Sequence, residues 1–199
     1  MKILIIGASG TIGRAVVDEL GSRHDIVRAG RSSGDLKLDI TDVESIRRAF
    51  AQAGRLDAVV SAAGKVKFAP LAGMTPDDYQ VGLKDKLMGQ VNLVLIGREH
   101  LNEGGSFTLT TGVLDHDPVV AGTSASMVNG AVNAFVLAAA IELPRGLRIN
   151  AVSPGVITEA MKDYAPFFRG HEPVPAARAA LAYAKSVEGR QTGQVYRVL

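Results

Sequence analysis

The chain has 199 residues, 47% of them hydrophobic and 21% charged, a composition that excludes disordered, collagen-like and low-complexity proteins and a length that fits one domain. Lysine and arginine total 22 against 20 acids, and a net charge of +2 leaves no basic excess to hold a phosphate backbone, so no nucleic-acid partner is expected. There is no cysteine, and the four histidines show no HxxxH or HExxH spacing, which excludes thiol chemistry, disulfides and the common zinc sites.

Short apolar runs alternate with longer amphipathic segments throughout, the rhythm of a parallel sheet covered by helices on both faces. Lys2 to Ile6 is the first strand and Thr11 to Leu20 the first helix, followed by strands at Ile26–Ala29 and Leu36–Leu38 and a helix over Val43–Ala53 that Gly54 ends. Leu56–Val60 is the next strand, and a polar connection, Lys65 to Pro76, leads into a long helix. Thr75-Pro76-Asp77-Asp78 suits the start of that helix, since Thr caps, Pro is tolerated in the first turn and acids favour the positive end of the dipole. Gly104-Gly105 introduces a strand at Ser106–Thr110; Ala125–Leu143 is a helix stopped by Pro144; Arg148–Val152 is a strand running into Ser153-Pro154-Gly155. An irregular stretch, Tyr164 to Pro175, precedes a helix over Ala176–Val187 and a last strand, Val195–Val198. The expected fold class is therefore α/β: one doubly wound parallel sheet of about seven strands, a Rossmann fold spanning residues 1–199 as a single domain.

Only Ile3 to Ile6 precede Gly7, too few for the apolar core of a signal peptide. The longest largely apolar stretch, Ala131 to Ile141, contains Asn133 and falls short of the ~18 residues of a membrane span. The expectation is a cytoplasmic, soluble protein with no membrane partner.

Gly7-Ala8-Ser9-Gly10-Thr11-Ile12-Gly13 joins the first strand to the first helix, where a dinucleotide-binding loop must sit. Glycines there permit a tight turn, close approach of backbone to a pyrophosphate and close helix–strand packing, while the helix N-terminus offers free N–H groups and positive dipole. With Leu38-Asp39-Ile40-Thr41, Ala62-Ala63-Gly64, Gly105-Ser106 and Arg148-Ile149-Asn150-Ala151-Val152-Ser153-Pro154-Gly155, the loop makes the chain resemble the short-chain dehydrogenase/reductase superfamily nearly end to end. The last block is close to that superfamily's RVNAVSPG.

Carried over position by position, the resemblance implies that Gly7, Ser9, Gly10, Thr11, Ile12 and Gly13 surround the cofactor phosphates and that Asp39 and Ile40 meet the adenine. Asp39 also reads as a helix cap or a solvated turn acid. Ala62, Ala63 and Gly64 would flank the adenosine ribose, and Pro154, Gly155, Val156, Ile157 and Thr158 would meet the nicotinamide and phosphates. At the end of the second strand, where NAD-binding relatives usually place an acid, the chain reads Ala29-Gly30-Arg31-Ser32-Ser33. Arg31 and Ser32 suit a 2′-phosphate, so the cofactor expected is NADP(H) in preference to NAD(H).

The superfamily's reaction uses a Tyr, a Lys four residues later, a Ser and an Asn, and here the pattern departs. Tyr79, Tyr164 and Tyr183 are followed four residues on by Leu83, Phe168 and Val187, and Tyr196 lies too near the end, so no YxxxK exists. Alignment of the flanking blocks puts Ala125 at the Tyr position, Asn129 at the Lys position, Gly112 at the Ser position and Lys86 at the Asn position. The loop spacing, GxxGxxG, is likewise that of atypical branches, some of which keep reductase activity while others bind NADP(H) as sensors. Both readings stay open: an oxidoreductase with a non-standard proton pathway, suited to a conjugated enone, quinone or flavin, or a catalytically impaired NADP(H)-binding regulator.

Candidates for the missing chemistry are Thr111, or its neighbour Thr110, as a hydrogen-bond donor to a substrate oxygen, though Thr at a strand end also reads as plain strand chemistry. Lys86 reads either as an electrostatic stabiliser or as a solvated helix lysine. Asn129 reads as a ribose-binding residue, since an amide both donates and accepts. Ser124 and Ser126 read as helix-start residues, and His116 reads either as a solvated loop histidine or as a proton donor near the substrate mouth. In the superfamily, helices equivalent to the long one after Pro76 and to Ala125–Leu143 pair subunits, so a homo-oligomer, dimer or tetramer, is expected alongside a small-molecule substrate.

Overall fold

A computed structural model describes all 199 residues. β1 (Lys2–Ile6) is buried on both faces, with Ile3 and Ile5 turned to one side of the sheet and Leu4 and Ile6 to the other. That is why it reads as a continuous apolar run rather than an alternating one. α1 (Thr11–Gly21), β2 (Asp25–Gly30) and the two-residue β3 (Leu36–Lys37) follow, then α2 (Val43–Ala53) and β4 (Leu56–Ser61). Asp42 caps α2 by accepting from the Glu44 N–H, and Gly54 ends it at φ 70°.

The long helix expected after Thr75-Pro76 starts there, with Thr75 and Asp78 capping each other's backbone N–H groups, but it is not continuous. α3 (Pro76–Gly82) passes into a π-helical turn, Leu83–Leu87, before α4 (Met88–Gly97) resumes. β5 (Leu101–Thr110) starts five residues ahead of the expected Ser106, and its register against β4 shifts between Leu56 and Ala58. α5 (Thr123–Glu142) begins two residues before Ala125. β6 (Arg148–Pro154), the short α6 (Met161–Tyr164), α7 (Ala176–Glu188) and β7 (Val195–Val198) complete the chain.

The strands form one parallel seven-stranded sheet in the order β3-β2-β1-β4-β5-β6-β7. One face packs on α2, α4 and α5 through residues such as Phe50, Leu93, Phe107 and Val132; the other packs on α1 and α7 through Val16, Leu20, Tyr183 and Val187. α5 is the one helix long and apolar enough to cross a membrane. Its buried residues, Ala125, Val128, Asn129, Val132, Asn133 and Val136, recur every three to four positions, which places one face of the helix in the protein's own core.

Strand order reverses direction between β1 and β4, so the loops leaving their carboxyl ends part and open a crevice. The glycine loop, Arg31-Ser32, Ala62 to Gly64, Thr111 and Pro154 to Thr158 all lie at carboxyl ends of strands, while Lys86 and Asn129 reach the crevice from helical segments.

Candidate functional site

Gly7 leaves β1 at φ +80°, and a Cβ there would lie 2.7 Å from the Ala62 carbonyl oxygen. A Cβ on Gly13 would stand 2.0 Å from the Gly7 carbonyl oxygen, so α1 lies directly on the turn that precedes it. The Gly10 N–H closes the turn onto Gly7 O at 2.9 Å and Arg14 N–H bonds Gly10 O. The N–H groups of Thr11, Ile12 and Gly13 have no acceptor within the protein, no side chain caps the helix and no acid stands in its first turn. Three free donors on an eleven-residue helix make an anion site.

Thr11 and Ile12 border a cleft of about 480 Å³ that continues past Ala62, Gly64, Lys86, Thr111, Asn129 and Pro154 to Ile157. The sequence thus brought most of its selected residues to one place. Asn129, only 3% exposed, donates through Nδ2 to the Gly112 carbonyl at 3.1 Å, and its Oδ1 has no partner. A buried acceptor left open is costly unless a ligand hydroxyl fills it. Position 112 is coupled to this residue, because a Cβ there would come 3.1 Å from Asn129 Nδ2.

Lys86 stands in the π-turn with its stem against Gly64, where a Cβ would meet Lys86 Cγ at 2.7 Å. Its ammonium donates to the Thr111 carbonyl at 3.0 Å. No Asp, Glu or His lines the cleft, and burial pushes the Lys86 amine down to about 8. The fold therefore disfavours the charged form: below pH 8 folded and unfolded chains are both protonated and the full penalty applies, while between about 8 and the unfolded lysine value of about 10.4 the unfolded chain holds the proton and stability rises with pH. Lys86→Met is expected to stabilise the ligand-free protein by about 2 kcal/mol at pH 7. Urea unfolding at pH 7 and pH 10 should show that gap narrowing as pH rises.

Gln90, fully buried, holds this turn in place. Its Nε2 donates to the Lys86 carbonyl at 3.1 Å and to the Thr110 carbonyl at 2.9 Å, and its Oε1 accepts from Thr110 N–H. It takes up a carbonyl that an α-helical register would have used, as π-turns at functional sites commonly require. Of the two threonines, Thr110 is turned away, its hydroxyl bonding the Ser61 carbonyl and the Tyr183 hydroxyl, both at 2.5 Å. Thr111 borders the cleft, and its hydroxyl makes only a long 3.4 Å contact to Val152 O. Tyr183 does not stand in for the absent tyrosine: burial drives its phenol far up, against the opposing Thr110 bond, and it points into the core from the buried face of α7.

Arg31 and Ser32 are exposed in the loop after β2, and Arg31 makes no hydrogen bond or ion pair. Lys37 Nζ secures this loop on the Ser32 carbonyl at 2.6 Å, and Ser33 Oγ bonds Ser9 Oγ at 3.1 Å, which ties it to the glycine loop. Asp39 accepts from both the Thr41 N–H and hydroxyl. Burial raises its carboxyl, but the Thr41 bonds and the Arg31 charge outweigh that and leave it below the ordinary value. The Ile40 side chain is 6% exposed and packs against Gly89, so it serves the core and offers a ligand its backbone alone. Ala63 lies partly buried beside the core, and Thr158 is exposed at the start of the turn Thr158–Ala160, beyond Ile157. His116 is paired to Asp115 and lies outside the cleft lining.

The outer wall comes from two segments with no periodic signature. Phe68, from the connection after β4, meets Tyr164 edge-on at 5.5 Å and Phe167 at 5.3 Å; Tyr164 meets Phe168 at 6.2 Å. With Val66, Val81, Leu114 and Ala125 they give the cleft an apolar, largely aromatic side. Sequence reasoning missed Phe68 and Gln90, which carried no signal; Tyr164, Phe167 and Phe168 fall in the Pro- and aromatic-rich stretch 164–175, whose composition was their only signal.

A dinucleotide fits the groups present: free backbone donors for phosphate at one end of the cleft, an open buried acceptor for a hydroxyl at the other, and glycines where the backbone must be approached closely. Residues 12–198 match the family described as enoyl-(acyl carrier protein) reductase. The chain is 53% identical to the protein lin1944 from Listeria innocua, with a TM-score of 0.99 and all of both chains covered. It is 26% identical, with a TM-score of 0.89 over 100% of this chain and 96% of the other, to a small-chain dehydrogenase in complex with NADPH. It is also 30% identical over 188 residues to the trihydroxynaphthalene reductase of Colletotrichum orbiculare, covering 80% of this chain and 66% of that protein.

Proposed function

The chain belongs to the enoyl-(acyl carrier protein) reductase family within the short-chain dehydrogenase/reductase superfamily, and from that premise we propose an NADP(H)-dependent oxidoreductase acting on a small conjugated carbonyl compound by a non-standard proton pathway. The observation that carries the reading is the single cleft joining the free N–H groups of Thr11, Ile12 and Gly13 to the unpartnered Oδ1 of Asn129. The NADPH complex of a structural relative and the reductase activity named for a sequence relative support it.

In this reading Gly7, Ser9, Gly10, Thr11, Ile12 and Gly13 hold the pyrophosphate, and Arg31 and Ser32 hold the 2′-phosphate. Asp39, the Ile40 backbone and Ala62–Gly64 border the adenosine. Asn129 accepts a nicotinamide-ribose hydroxyl, and Pro154 to Thr158 flank the nicotinamide. When bound, the reduced cofactor supplies a hydride. Lys86 and Thr111 face the substrate oxygen, the first as a charge and the second as a hydroxyl donor, in place of groups that Ala125 and Gly112 lack. Delocalised charge in a conjugated substrate reduces the demand on a strong acid.

Fluorescence titration should show NADPH bound at least tenfold more tightly than NADH, and NADPH absorbance should fall with quinones or enones and not with simple ketones. Tight binding without turnover would favour the sensor reading, which the absence of a hydroxyl at positions 112 and 125 supports. No binding would overturn both.

We also propose a homo-oligomer. Met88 and Leu95 on α4 and Met127, Leu137 and Ile141 on α5 expose apolar surface, Ile141 to 87%. Light scattering should give at least twice the chain mass, and Leu137→Asp with Ile141→Asp should reduce it to one.

A further inference from the structure

The Lys86 ammonium has three donors and a single acceptor, the Thr111 carbonyl, inside a cleft that holds no carboxylate. The other cation there, Lys65, is exposed, and its backbone N–H is the group that Asp85 accepts from, at 3.0 Å. Lys86 is half-buried where it lines the cleft, and a charge partly shielded from water is ordinarily paired, because desolvation without a counter-charge is unfavourable. No carboxylate of the fold supplies that partner. The counter-charge therefore belongs to the ligand.

Its shape follows from what surrounds the ammonium. Phe68, Tyr164 and Phe168, set edge-on to one another, form with Val66, Val81 and Leu114 an apolar wall of the cleft that Lys86 also lines. Aromatic faces and edges take a planar ring through offset or edge contacts, which bury its apolar area against this wall. Ala125, buried 97% in this same wall, adds no polar atom.

We propose that the cleft selects a planar aromatic or conjugated ring bearing an ionised oxygen, a phenolate or enolate, with that oxygen on Lys86 Nζ and the ring against Phe68, Tyr164 and Phe168. This inference rests on the oxidoreductase reading, in which Lys86 faces the substrate and not the cofactor.

Titration calorimetry on the NADP⁺-saturated protein would compare 2-hydroxy-1,4-naphthoquinone, ionised at neutral pH, with the neutral 2-methoxy compound of the same ring; the oxidised cofactor prevents turnover. The ionised probe should bind at least tenfold more tightly. Lys86→Gln should reduce that ratio to within about threefold while leaving NADPH affinity within threefold, and Phe68→Leu should weaken both probes together and keep the ratio. Equal binding of the two probes, or a ratio that survives Lys86→Gln, would overturn the inference. A matching loss of NADPH affinity in Lys86→Gln would also overturn it, by assigning the ammonium to the cofactor. Failure of the wild-type protein to bind NADPH would instead bring down the oxidoreductase reading itself.

Discussion

Gly13→Ala should unfold about 6–12 °C below the parent chain and bind NADPH at least tenfold more weakly. The added Cβ would lie 2.0 Å from the Gly7 carbonyl oxygen and 2.9 Å from Ala8 Cα, both backbone atoms with no rotamer to give way. Either α1 lifts from β1 or the turn at Gly7 reopens. An overpacked contact of this kind costs about 3 kcal/mol, and each kcal/mol moves the midpoint of a chain of this size by about 2–4 °C. The same movement displaces the N–H groups of Thr11 and Ile12, so binding and stability fall together. Gly10→Ala separates the two effects, since its Cβ meets nothing nearer than Gly7 O at 3.3 Å. It should melt within about 2 °C of the parent and still lose about tenfold in NADPH affinity, because its methyl enters the space a phosphate occupies. Calorimetric melting and fluorescence titration on the two variants make the comparison.

Arg31→Glu should reverse the cofactor preference. Arg31 is exposed and makes no hydrogen bond or ion pair, and its one influence on the protein is the charge that helps hold the Asp39 carboxyl down, so the substitution should shift melting little and act mainly on the ligand. Losing a charge-assisted pair with the 2′-phosphate removes about 1.5–3 kcal/mol, and the new carboxylate repels that phosphate while accepting from an unphosphorylated ribose. NADPH should bind about a hundredfold more weakly and NADH severalfold more tightly. Since the pair forms at an exposed site, the parent's preference for NADPH should shrink as salt is raised, and that salt dependence should vanish in the variant. A preference untouched by Arg31→Glu would move 2′-phosphate recognition elsewhere in the loop that Ser9, Ser33 and Lys37 hold together.

Sequence reasoning reached the sheet because its determinants are local. Residues 3–6 are apolar on both faces and Gly7, Gly10 and Gly13 follow at once, so one strand, one turn and one helix are fixed within twenty residues. The break between α3 and α4 was illegible for the opposite reason. Leu83–Leu87 reads as ordinary helix, and the register change depends on Gln90 reaching the Thr110 carbonyl on another element. Thr110 and Thr111 are indistinguishable in the sequence, yet alternation along β5 turns one toward Tyr183 and leaves the other at the cleft. Ile40, chosen for adenine, is bound by its side chain to the core, a fact decided by the approach of Gly89. Phe68 was missed, and Tyr164, Phe167 and Phe168 showed only as an aromatic-rich stretch, because neither connection has a period to read.

The strand order also sets when the cleft comes into being. β1 lies between β2 and β4, and the cleft draws on chain from Thr11 through to Phe168. On a ribosome, the glycine loop emerges about 140 residues ahead of Pro154 to Ile157 and waits until they are able to face it. A cofactor bound as proposed would have only half a site until β6 has docked on β5. It instead favours the finished protein, drawing the last third of the chain into place by mass action.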